Sequence, residues 1–214
     1  MKKSICLLVA FAMIFTVFAQ NEKMVKAMTG TVTGLDSIST PEGWATAANQ
    51  FQRIADAEKK EWLPYYYAAL SNVMSGLMMG PGKGEQTDPL ADKAEALINK
   101  ADELNKNNAD IWLVKKMIVN LRMQVDPMNR WQTLVPLGEE AIGKAKSLNA
   151  DNPRLYLLMG QDKFYTPEEF GGSKAEAKTL FETAVKKFES AKAESAIHPQ
   201  WGLSQAKYFL TQAK

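Results

Sequence analysis

Cysteine and histidine are all but missing from this sequence. Its 214 residues hold one of each, Cys6 and His198. A thiolate or imidazole metal site needs several such ligands close together, so none is expected. A lone histidine directly before Pro199, at a helix start, reads as a capping or surface residue rather than a catalytic base. Also missing are a Gly-x-Ser-x-Gly elbow, a phosphate loop and a dinucleotide fingerprint. Gly80-Pro-Gly-Lys-Gly84 has the glycines and a lysine but no following Ser or Thr, and reads as a turn. The acidic doublets Glu139-Glu140 and Glu168-Glu169 do not make a paired-carboxylate site, because neighbours on a helix do not face each other. With no catalytic constellation, an enzyme is not expected, and no cofactor is implied.

A long apolar run is missing too. Ile5 to Phe18 carries no charge, but its 14 residues fall short of the roughly 20 that span a bilayer. Lys2 and Lys3 precede it and Val17-Phe18-Ala19 follows, which is the pattern of a secretory signal peptide over 1–19, cut between Ala19 and Gln20. Cys6 lies at the start of the apolar run, not at its end, so no lipid anchor is expected and none of the chain stays in the membrane after the cut. Cleavage would remove two of the 26 basic residues and no acid, leaving 24 against 24 in residues 20–214. Without a basic excess, nucleic acid is excluded as a partner.

Strand signals are equally scarce, Thr29 to Thr33 being the nearest, while helical periodicity is continuous. Helices are expected over 22–36, 41–59, 64–79, 89–106, 110–124, 128–148, 153–165, 174–190 and 200–212. Several start with a capping side chain before proline: Thr40-Pro41, Asp88-Pro89, Asp126-Pro127, Asn152-Pro153 and Thr166-Pro167. Thr166 to Glu169 and Ser173 to Glu176 have the spacing of capping boxes.

The helices repeat. Tyr67, Trp112, Tyr156 and Trp201 recur every 44 or 45 residues. Between them falls a small–large–small triplet: Ala94, Ile98 and Ala101; Gly138, Ile142 and Ala145; Ala177, Phe181 and Ala184; more loosely Ala47, Phe51 and Ile54. Each triplet shares a helix face where small residues admit a neighbouring helix.

Tyr67-x2-Leu70-Ser71-x2-Met74 and Tyr156-x2-Met159-Gly160 resemble the first helix of a tetratricopeptide (TPR) repeat, and the triplets resemble its second helix. The resemblance covers about residues 40–212. It implies an all-α, right-handed solenoid of antiparallel helix hairpins, about 3.5 long repeats with a C-terminal capping helix. Lys115 and Lys116 break the pattern after Trp112, so the third repeat is expected to be bent or loosely packed. Asn152 to Tyr156, Phe164 to Ser173 and Glu58 to Tyr67 resemble the exported TPR-like proteins of Bacteroidetes-type bacteria. That likeness implies a periplasmic home, with an extracellular one as the alternative, and brings no catalytic residue.

By analogy with TPR helices, the partner groove would be lined by Tyr65, by Asp110, Leu113, Met117 and Leu121, and by Arg154, Leu157, Gln161 and Tyr165. Tyr65, Arg154 and Tyr165 are the expected anchors. The repeat-phased aromatics are expected in the core. Those off the phase, Tyr65 or Tyr66, Trp131, Tyr165 and Phe170, are candidates for contact. The function expected is an interaction or scaffold module binding a peptide or protein segment. The alternatives are a carrier of small ligands such as sugars or peptides and, further off, an envelope enzyme.

Overall fold

Capping side chains set most of the helix starts. Thr40 accepts from the Gly43 amide, Asp126 from Asn129, Asn152 from Arg154 and Ser173 from Glu176. Each satisfies a first-turn N–H that has no helical partner. The computed structural model describes residues 22–213, so the expected signal segment and its Ala19/Gln20 cut lie outside the described residues. Among the described residues there are nine α-helices and no strand. They are α1 (22–34), α2 (Pro41–Ala57), α3 (Trp62–Met78), α4 (Gly84–Leu104), α5 (Ala109–Met123), α6 (Pro127–Leu148), α7 (Pro153–Tyr165), α8 (Lys174–Ser190) and α9 (Leu203–Gln212). Short 3-10 turns cover Leu35–Ser37 and Glu168–Phe170.

Each helix from α2 onward packs on the next, and α3, α5, α7 and α9 also touch in series. The triplets make these contacts. Ala94, Ile98 and Ala101 are buried, as are Ala177, Phe181 and Ala184, while Ile142 and Ile54 are half-buried. Gly160 shows why a small residue is needed: a Cβ there would lie 2.5 Å from Cε1 of Phe181. Of the repeating aromatics, Tyr67 and Trp201 are core residues. Trp112 and Tyr156 are half-buried, each with a lysine over its ring, Lys115 at 4.4 Å and Lys187 at 5.1 Å.

Three expectations about local structure are corrected. First, α4 begins at Gly84 rather than at Pro89, which falls inside the helix, and Asp88 pairs with Arg130 instead of capping. Second, Thr166 caps nothing, because only a 3-10 turn follows it; the box at Ser173 does form. Third, the segment around Lys116 is not loose. Lys116 is buried, its Nζ 2.8 Å from Asp162 and 2.6 Å from Asn120, and its stem fills the space over Gly138.

The largest departure concerns the face of α3, α5 and α7. The connection between α8 and α9 lies on it. Tyr67 donates to the Ile197 carbonyl at 3.0 Å, Trp201 donates through Nε1 to the Tyr66 hydroxyl at 2.9 Å, and Trp62 meets His198 edge-on at 5.9 Å. Arg154 clamps the same segment, donating to the carbonyls of Pro199 and, at 3.1 Å, Trp201. Gly202, at φ 112°, then turns the chain into α9, where a Cβ would lie 2.7 Å from Phe188. Asp36, at the other end of the sequence, accepts from Ser204 at 3.1 Å.

Candidate ligand-binding surface

Most of the expected groove residues are interior: Arg154 and Leu157 lie under the segment before α9, and Leu121 packs against Gly76 of α3. Leu113, Leu121 and Leu157 have no exposure, Met117 has 3% and Arg154 has 5%. They are packed into the interior, so the groove phase borrowed from TPR helices is corrected for these five. Arg154 is a buried clamp: it donates to Asp110 at 3.1 Å, and Asn152 donates to the same carboxylate oxygen at 2.9 Å. This network sits beside Tyr66 and Tyr67, whose hydroxyl pKa values are pushed up, chiefly by burial. Tyr65, Asp110 and Gln161 are half-buried; Tyr165 alone of the set is open to solvent, at 69% exposure. Tyr65 lies in the first turn of α3 and Tyr165 at the last residue of α7.

The off-phase aromatics fare differently. Tyr66 is core, but Trp131, Tyr165 and Phe170 are all exposed. Tyr165 belongs to a cluster built by three helices. Its ring centroid lies 5.3 Å from Phe164 and 5.8 Å from Phe209. Phe209 stacks on Phe181 at 5.3 Å and meets Phe164 at 5.8 Å. Tyr208, also exposed, meets Phe209 at 5.4 Å. Buried Phe181 and nearly buried Phe209 thus form a rigid floor, and Tyr165 and Tyr208 stand at its open edge. The Tyr165 hydroxyl pKa is raised by burial first and by neighbouring Tyr208 second. Tyr208 and Phe209 had no place in the repeat pattern because the last helix reads as a cap. Their adjacent rings, followed by Leu210, were the available signal.

Two other surfaces stand out. Met128, Trp131 and Val135 form an exposed apolar stripe on α6 at helical spacing. A depression of about 400 Å³ is lined by Asp88, Asp92, Arg122, Arg130, Thr133 and Leu134. Its charges are already matched: Arg130 holds Asp88 through two hydrogen bonds, and Arg122 lies 2.8 Å from both Asp92 and Glu95.

Among the described residues no group of His, Cys, Asp and Glu is placed to hold a metal ion. His198 is half-buried, 3.0 Å from Glu194 through Nε2. No helix is long and apolar enough to cross a membrane among the described residues.

No protein-family model matches this sequence, and no curated protein matches it. Among solved structures it is similar to the HusA haemophore from Porphyromonas gingivalis, with 33% sequence identity and a TM-score of 0.78. The similarity covers 89% of this chain and 92% of that one.

Proposed function

The chain belongs to the family of the HusA haemophore, and on that premise we propose that it is an exported carrier of a flat, largely apolar small ligand, haem being the first candidate. The observation that carries this reading is the cluster of Phe164, Tyr165, Phe181, Tyr208 and Phe209, a packed floor with two tyrosine rings left open. Aromatic faces gain by offset or edge contact with another ring system. The fit is to the ring rather than to its metal, since the described residues bring no preformed metal cage. A tyrosine oxygen is a known iron ligand in haem proteins, and Tyr165 and Tyr208 are the two oxygens on this surface. The Tyr165 hydroxyl, like any phenol, is protonated near neutrality, and its pKa is raised further here, so a metal would have to displace that proton.

Titration with haemin, followed by its absorbance, tests the reading. A saturable change is expected, weakened about tenfold by the Tyr165→Ala, Tyr208→Ala double variant, with the melting temperature within a degree or two of the parent. Wild-type protein that binds no haemin overturns it.

The interaction-module reading rests on a different observation, the exposed Met128–Trp131–Val135 stripe. In that reading Tyr65, Asp110 and Gln161 remain accessible to a peptide or protein partner. The serial contacts of α3, α5, α7 and α9 are what a helical solenoid requires, and the right-handed, TPR-like form is proposed with it. Export through residues 1–19 to the periplasm, with the mature chain over 20–214, completes the proposal. A mature N-terminus other than Gln20 on the periplasmic protein would overturn the Ala19/Gln20 cut.

A further inference from the structure

We infer that Lys174 is the specificity cation of the aromatic surface, selecting flat ligands that carry a carboxylate beside the ring. This rests on the reading of that surface as the ligand site. Lys174 is exposed at the start of α8, and its Nζ lies over the Phe164 ring, 5.9 Å from the centroid. The same ring is 5.3 Å from Tyr165, so the ammonium and the open tyrosine flank one aromatic residue and fall within the span of a single small molecule.

Three other lysines on these helices are engaged, and exposed Lys178 and Lys186 of α8 lie over no ring of the cluster among the described residues, unlike Lys174. Lys163 lies 2.8 Å from Glu176 and donates to the Gly171 carbonyl at 3.1 Å. Lys207 lies 3.0 Å from Glu189, and Lys187 lies 2.6 Å from Asp151. Among the described residues Lys174 makes no ion pair, and a cation over a partly exposed ring at this distance is held weakly. Its charge is therefore free to meet an incoming anion. Exposed Glu168 and Glu169 stand on the turn after Tyr165. They disfavour a carboxylate on their side and direct it toward α8.

The experiment compares haemin with its dimethyl ester, which keeps the ring and loses the acids. Both are titrated into the parent protein, Lys174→Gln, Lys174→Arg and the Tyr165→Ala, Tyr208→Ala double variant. Expected for Lys174→Gln is about a fivefold loss of haemin affinity at low salt, the upper range of an exposed charge pair. That loss should fade in 1 M salt. The ester should bind Lys174→Gln as it binds the parent, and Lys174→Arg should restore haemin binding. If Lys174→Gln weakens both ligands alike, or neither, the inference is overturned while the surface stands. If the double tyrosine variant binds both ligands as tightly as the parent, or the parent binds neither, the surface itself is wrong and the inference falls with it.

Discussion

Arg154 donates to the Asp110 carboxylate at 3.1 Å, across the 44 residues that separate consecutive repeats. The same guanidinium holds two carbonyls of the segment before α9, so one side chain joins α5, α7 and the C-terminal connection. Removing one member of a buried ion pair leaves the other charge uncompensated and costs about 3–5 kcal/mol. Arg154→Ala should therefore lose that much stability in urea unfolding. A variant that unfolds at the parent's midpoint would show that this clamp does not stabilise the fold.

Phe181 and Gly160 form a matched pair. Phe181→Ala should cost about 3–5 kcal/mol, as for other buried aromatics. Gly160→Ala forces a methyl onto the ring and should cost about 1–3 kcal/mol. The double variant Gly160→Ala, Phe181→Leu should cost less than Gly160→Ala and Phe181→Leu measured singly and added together, because the smaller side chain makes room. Strict additivity in thermal unfolding would show that the two do not share a space.

Asp88 gives the clearest pH effect. Its pKa is held below the ordinary carboxylate value, chiefly by hydrogen bonds from Arg130. A group with a depressed folded pKa stabilises fully above its unfolded value and loses that contribution as pH falls through the folded one. The parent should exceed Asp88→Asn by no more than about 1 kcal/mol near neutrality, since the pair is partly open to water. The gap should close as pH drops below the ordinary carboxylate range. A gap that persists into strong acid would assign it to packing.

Lys116→Met should cost about 1–3 kcal/mol: the straight apolar chain keeps the filling over Gly138, but Asn120 and Asp162 lose their common donor. Asp162 can still reach water, its side chain being 41% exposed. Its pKa is raised by burial against the pull of Lys116, so it should rise further in Lys116→Met. A carboxyl titration of Asp162 that does not move would show that the ion pair is not formed in solution.

Much of the architecture was legible because local chemistry dictates it. Thr40, Asp126, Asn152 and Ser173 cap the helices they precede, and the triplets around Ile98 and Phe181 mark the faces that meet. The groove was not legible in the same way. Leu157 fits an open first-helix face as well as a covered one, and the path of residues 191–202, which brings Gly202 beside it, decides between them. That segment carries no periodicity to show where it lies. Arg154 reads as an ordinary first-turn arginine until Asp110 is brought beside it. The exposure of Tyr165 was legible from its position off the repeat phase, whereas Tyr208 and Phe209 join it only once α9 meets α7 and α8.

The bond between Asp36 and Ser204 spans 168 residues of sequence, and Tyr66 to Trp201 spans 135. An open row of repeats touches only its neighbours and can fray from either end. Here the opening turn and the final helix hold each other. Loss of either end should weaken the whole chain at once, as a single cooperative transition. Such distant closures also slow the search for the native state. Loss of the Asp36–Ser204 contact should therefore be felt at both ends of the array.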